Sequence, residues 1–258
     1  MKINYFLALF FCFSLSNSIK SQTDPNHPNI LLIVADDLGV DALNGFQTGG
    51  VKPVTPTLDN LRNTGLAFTN AWSTPQCAPT RAVIMSGKYG VKTGVLEVPG
   101  NLDPVHTSIF EAVSTHTNNL YADAVFGKWH ISNPPDNNHP ATLDVDHFEG
   151  LLRGNISSYT NWDKVISGIN NTPATESIEP EYLTTHLTSR ASAWINAQNQ
   201  PWIVWLAHIA PHAPFETPPD PATYSQSPTN SNFQKFIASI ETMDYEINRL
   251  LTSMPQAV

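Results

Sequence analysis

The sequence predicts an α/β fold in which a largely parallel sheet carries helices on both faces. Three observations predict it. Short, wholly apolar runs such as Asn29–Ala35 (NILLIVA) and Trp202–Ala207 (WIVWLA) fit strands buried on both faces. Segments of helical spacing alternate with these runs along the chain. Polar clusters follow the runs directly, as at Asp36-Asp37 and Pro211-His212. The 258 residues are 41% hydrophobic and 14% charged, with 6 Trp, which argues against a disordered chain. The 13 Lys and Arg against 22 Asp and Glu give a formal charge of −9, which argues against a general nucleic-acid binder.

Taken in order, residues 1–21 read as a secretory signal peptide. Lys2 is followed by the apolar stretch Tyr5–Leu15, which is shorter than the roughly 18 residues of a membrane span. An N-terminal membrane anchor is the alternative. Residues 22–258 read as one domain, secreted or periplasmic, with no stable membrane insertion once the signal is removed. After the 29–35 strand, Thr55 as N-cap, Pro56 at N1, Leu58, Leu61 and a Gly65 stop predict a helix. Leu66–Trp72 alternates as a strand. Pro79–Gly87 predicts a short helix with Cys77 just ahead of it. Ser108–His116 predicts another helix, and Ala122–Phe126 a strand leading into Gly127-Lys128-Trp129-His130. Residues 132–180, rich in Pro, Asn, Asp, Ser and Thr, predict an irregular excursion. Glu181–Gln198 and the stripe from Phe233 to Leu251 predict helices flanking the 202–207 strand.

In open α/β sheets the carboxyl ends of the strands face the ligand crevice. Asp36-Asp37, Lys128 to His130, and His212 each follow a strand, so they should converge. Two adjacent carboxylates repel unless a cation compensates them, and hard divalent cations take such oxygens. A bare Asp-Asp is equally a solvated turn or a cap. Cys77 is the one cysteine outside the signal segment. Before a helix its sulfur would face unpaired N–H groups that favour an anion, as suits a nucleophile, and Arg81 lies one turn on. The alternative is an inert buried thiol beside a surface Arg. His208 reads as structural and Lys88 as helix-end charge.

These residues resemble the type I sulfatases, the formylglycine-dependent branch of the alkaline phosphatase superfamily. The resemblance runs from Pro28–Gly39 through Thr55–Asp59, Cys77-Ala78-Pro79-Thr80-Arg81 and Gly127–His130 to Ala210–Phe215, in the family's order. It implies an alkaline-phosphatase-like, three-layer α/β/α sandwich with a mixed central sheet. It implies that Cys77 is oxidised to Cα-formylglycine, whose hydrated aldehyde attacks sulfur and later expels sulfate. Asp36, Asp37 and the residue-77 side chain would hold Ca²⁺, or another divalent cation. Arg81 would hold the diol and Lys128 a sulfate oxygen. His130 would take the diol's proton, and His212 would contact sulfate or protonate the leaving oxygen. The implied partners are a sulfated glycan or small sulfate ester, and a formylglycine-generating or radical SAM maturation enzyme.

The family continues beyond the 233–251 helix into a second acidic metal cluster, a further Lys and a smaller domain. The sequence ends at Val258, so a C-terminally truncated catalytic domain is expected. A formylglycine-dependent phosphonate or phosphate ester hydrolase and an inactive fragment are the competing functional readings.

Overall fold

A computed structural model describes residues 26–220, 223–224 and 231–254. The signal-peptide expectation for 1–21 therefore lies outside the described residues. Six strands form one sheet in the order β1-β6-β2-β3-β4-β5. They are β1 (Ile30–Asp36), β2 (Ala122–Lys128), β3 (His147–Leu151), β4 (Trp162–Ser167), β5 (Thr175–Glu179) and β6 (Trp202–Pro211). The pairs β1·β6, β6·β2 and β2·β3 are parallel, whereas β3·β4 and β4·β5 are antiparallel. The sheet is thus mixed, with a parallel half built from the apolar runs.

Side-chain alternation along these strands feeds two separate cores. On one face Val125, Ile203, Trp205 and Ala207 meet α2 (Cys77–Ser86) and α4 (Ile109–Thr117) through Ala78, Ala82, Met85 and Phe110. On the other face Ala124, Phe126, Val204 and Leu206 meet α6 (Leu183–Asn196) and α7 (Asn232–Ser253) through Leu183, Leu187, Met243 and Ile247. The fold is a three-layer α/β/α sandwich. The short helices α3 (Gly90–Thr93) and α5 (His139–Thr142) sit in connections. Among the described residues no helix is long and apolar enough to cross a membrane.

Four expectations change. Leu66–Trp72 forms no strand: Leu66, Phe68 and Trp72 are 88%, 77% and 93% exposed, and alternation without a neighbouring strand gives no ladder. Residues 132–180 are not irregular, since they hold α5 and the three strands β3 to β5. The helix after the cysteine begins at Cys77 itself, so that residue occupies the first turn. Finally, Thr55 makes no side-chain cap on α1 (Pro56–Thr64). Asp244 of α7 caps it instead, accepting from Leu58 N at 2.8 Å and Thr57 N at 3.1 Å.

A second polar network ties β3 to α6. Buried Glu149 accepts two bonds from Arg190 Nε, at 3.0 and 2.9 Å, and faces His186 Nε2 at 3.0 Å. His186 Nδ1 faces Glu181 at 2.8 Å, with Glu179 at 3.7 Å and His147 of β3 within 3.8 Å of Glu149. Lys164 of β4 pairs with Glu179. Burial opposes protonation of His186, but Glu149 and Glu181 outweigh it, and the imidazole pKa is raised. Burial likewise opposes ionisation of Glu149, but His147, His186 and Arg190 hold its pKa well below the carboxylate range.

Two outcomes are expected. Asp244→Ala should lower unfolding free energy by about 2 kcal/mol by orphaning two helix N–H groups, and Asp244→Asn by less; urea titration measures both. A raised histidine pKa contributes stability fully present below its unfolded value of about 6.5 and lost as pH rises through the folded value. The melting-temperature difference between wild type and His186→Gln should therefore shrink from pH 6 to pH 9. A difference that stays flat over that range would exclude a charged His186.

Candidate functional site

Because β1, β6 and β2 are parallel neighbours, their carboxyl ends lie together. The ladder slips between them: Val34 pairs with Ala207 but Asp36 with Pro211, so one residue of β1 opposes His208, Ile209 and Ala210 of β6. This bulge sets Pro211 against Asp36 and so carries His212 toward Asp37. Asp37 and His130 adopt left-handed backbone conformations, φ 65° and 56°. Such angles are uncommon outside glycine and cluster where function over-determines the backbone.

Asp36, 5% exposed, sits at the centre. Its carboxylate receives Lys128 Nζ at 2.5 Å and lies 3.5 Å from Arg81 Nη2. Lys128 and Arg81 are both buried. Arg81 also donates through Nη1 to the Lys128 carbonyl. Burial alone would raise the Asp36 pKa, but Arg81 and Lys128 outweigh it and the pKa is lowered. Two buried cations against one buried carboxylate leave a local positive excess, and Arg81 Nε has no hydrogen-bond partner among the described residues. An anion entering here meets charge already in place.

Cys77 lies beside this cluster. Its Sγ is 3.2 Å from His130 Nδ1 and 3.6 Å from Lys128 Nζ. Burial, then the fields of Lys128 and Arg81, depress the His130 pKa to about 4, so at neutral pH the ring is uncharged and able to accept a proton. His212 Nε2 is 3.6 Å from Asp37 Oδ2, while Nδ1 donates to the Ala213 carbonyl at 2.6 Å. Asp36, Asp37, Cys77 and Arg81 line one cleft of 390 Å³ with Thr74, Gln76 and Thr80. The structure therefore brings together all seven residues that the sequence reading singled out.

Asp36 and Asp37 offer hard oxygens of the kind a divalent cation takes, next to Cys77. They fit as part of such a site: two carboxylates fall short of the about six to eight oxygens Ca²⁺ prefers. A second donor group, Glu179, Glu181 and His186, lies elsewhere, at the start of α6. Lys164 and the His186 ring already pair with its carboxylates.

His208 is wholly buried in the bulge, and burial depresses its pKa to about 4; neither ring nitrogen has a hydrogen-bond partner among the described residues. It packs as a neutral side chain. Lys88 Nζ is 3.1 Å from His106 Nδ1, away from Cys77's own partners.

Sequence reasoning missed the segment after β3. The His130 amide donates to the Leu152 carbonyl at 3.2 Å, and a Cβ on Gly154 would come within 2.2 Å of the His130 ring. Farther on, Tyr159 OH donates to the His212 carbonyl at 2.7 Å, and Glu216 accepts from Tyr159 N at 2.9 Å and Ser158 Oγ at 3.1 Å. Gly154 was the available signal, hidden in a stretch read as irregular.

Known proteins share this arrangement of sequence and fold. The chain is 24% identical to mouse arylsulfatase J over 92% of its own length and 43% of that protein. It is 28% identical to human N-acetylgalactosamine-6-sulfatase over 74% of its length and 40% of that protein. It thus spans about two fifths of the length of these curated relatives. Among solved structures it superposes on the putative sulfatase yidJ of Bacteroides fragilis with TM-score 0.71 at 20% identity, covering 91% of this chain and 60% of that one. It superposes on Ps i-CgsB in complex with k-i-k-neocarrahexaose with TM-score 0.68 at 23% identity, covering 88% and 55%. These likenesses establish the alkaline-phosphatase-like fold. The sulfatase family model matches residues 28–256, from the first strand through the last helix, and the chain belongs to the sulfatase family.

Proposed function

We propose that this chain carries the nucleophile-bearing part of a sulfuric ester hydrolase that cleaves a sulfate ester of a carbohydrate. One observation carries the reading: Cys77 Sγ, in the first turn of α2, stands between a neutral imidazole nitrogen at 3.2 Å and an ammonium at 3.6 Å, beside a buried carboxylate. That setting suits a nucleophile working on an anion. The names of the relatives support the ester class, and a neighbour holding a neocarrahexaose supports a glycan substrate.

Oxidation of Cys77 to Cα-formylglycine would supply a hydrated-aldehyde hydroxyl as nucleophile, and a Ca²⁺ held by Asp36, Asp37 and residue 77 would polarise sulfate oxygens. The chain's own groups do the rest. Lys128, fixed by Asp36, stabilises negative charge on the sulfate. Arg81 spans α2 and the β2 end and holds the residue-77 side chain in line. His130, kept neutral by burial and by its cationic neighbours, takes the proton whose loss drives sulfate out. His212, oriented by its bond to the Ala213 carbonyl, presents Nε2 to the sulfate or the leaving oxygen. The partner this reading requires is a maturation enzyme, formylglycine-generating or radical SAM. Export is part of the proposal and rests on the pattern of residues 1–21.

Coexpression with a maturation enzyme should convert the Cys77 peptide to the aldehyde by mass spectrometry, and the product should hydrolyse an aryl sulfate faster than an aryl phosphonate. Cys77→Ala should abolish turnover by roughly three orders of magnitude or more, and Lys128→Ala should lower kcat by roughly a hundredfold. Faster phosphonate cleavage would favour the phosphonate hydrolase reading. A converted chain without activity on either ester would favour the inactive one.

Asp36→Asn should fail twice, losing turnover and about 3–5 kcal/mol of stability, because it leaves Lys128 and Arg81 buried without their counter-charge. Thermal melts beside the aryl sulfate assay check this. A stable variant would show that the two cations do not depend on Asp36.

A further inference from the structure

A second concavity, of 260 Å³, lies along β3, β4 and β5 and is walled by the 152–161 segment. Its polar lining includes Arg153, Asn155, Asn161, Asn137, Asp163 and Glu176. Buried Val165 lines it beside Ile178, while Trp162, also among its lining residues, belongs to the core on the other face of the sheet.

Arg153 is the telling member. Its Nη1 is buried and has no hydrogen-bond partner among the described residues. Nη2 reaches Asn137 Oδ1 at a long 3.4 Å. No carboxylate pairs with this guanidinium among the described residues, whereas Glu176 accepts from Asn137 Nδ2 at 3.2 Å. A buried donor left unpaired costs about 1–3 kcal/mol, so an acceptor brought by a ligand is rewarded.

The concavity is also registered to the reacting centre. Its wall is pinned to His130 through the Leu152 carbonyl and the close approach of Gly154. The other end is pinned to His212 through Tyr159. A group seated here would therefore stand at a fixed offset from Cys77.

The lining selects the class of ligand. The guanidinium and amide nitrogens donate; the amide oxygens and the two carboxylates accept. Hydroxyls do both, so a ring bearing several of them satisfies both sets. An anionic ring would meet Asp163 and Glu176 with one cation to offset them. The volume falls just below the roughly 300–1,000 Å³ of sites for drug-sized ligands, which suits a single ring.

We propose that the 152–161 segment and the β3–β5 ladder form a subsite for one uncharged, hydroxyl-rich sugar ring adjoining the sulfated ring, with Arg153 and Asn161 as its selectivity determinants. The assignment rests on the sulfatase reading for what lies in the neighbouring cleft, but the subsite is tested without turnover.

The full chain, with Cys77 left as the thiol, is applied to an array of immobilised oligosaccharides, unsulfated and sulfated. Retention of oligosaccharides that carry uncharged rings is expected, weakened about tenfold by Arg153→Ala and by Asn161→Ala. Circular dichroism checks that each variant folds; Asn161 is exposed, so its variant carries the test should Arg153→Ala misfold. Three results would overturn the proposal: no retention of any oligosaccharide, retention unchanged in the variants, or retention confined to probes with an acidic group on every ring. The sulfatase reading fails by a different result, an absence of sulfate release from an aryl sulfate after maturation, whatever the array shows.

Discussion

The ion cluster of Asp36, Lys128 and Arg81 is the constraint on which the site depends. Asp36 ends β1, Lys128 ends β2, and Arg81 stands one turn into α2. Their contacts at 2.5 and 3.5 Å lock three elements that are distant in sequence. Burying such charges is costly, and a hydrophobic substitute of the same shape would serve stability as well or better. The cluster is therefore better explained by its charge than by its contribution to folding. It leaves positive potential beside Cys77, and Lys128 and Arg81 add to the burial that already lowers the pKa of His130. One arrangement thus places a positive potential beside Cys77 and helps keep the adjacent imidazole unprotonated.

What the sequence revealed followed from locality. The apolar runs of β1, β2 and β6 mark buried parallel strands, and the rule that ligands gather at their carboxyl ends groups Asp36, Asp37, Lys128, His130 and His212 without any distance being known. What it concealed was nonlocal. The cap of α1 comes from Asp244, more than 180 residues away, while Thr55 has the right chemistry and does not bond. Strands β3 to β5 are short and mix polar with apolar residues without a clean alternation. Leu66–Trp72 has the better strand pattern and no ladder. Periodicity reports which face a residue would show; pairing decides whether a strand exists.

The 152–161 segment shows why the site is stiff as well as charged. Loops that position reacting groups need support from outside the cleft. Here one segment holds both histidines by their backbones, the Leu152 carbonyl accepting from the His130 amide and the Tyr159 hydroxyl donating to the His212 carbonyl. Glu216, four residues after His212, closes the circuit by accepting from Ser158 and Tyr159. Neither histidine can shift without moving this brace.

The bulge in β6 completes the geometric argument. Had the ladder run without slip, Asp36 would sit opposite Ile209, and Pro211-His212 would extend beyond the end of β1. The extra residues shorten that reach and place His212 Nε2 at 3.6 Å from Asp37. They also bury His208 without a hydrogen bond among the described residues, and the left-handed backbone at Asp37 adds strain on the opposite strand. Both features oppose folding, and both lie where β1 and β6 must deliver an acid and an imidazole to the same point. A sheet selected for stability alone would have no reason to keep either, so the slip is best understood as the cost of bringing Asp37 and His212 together beside Asp36.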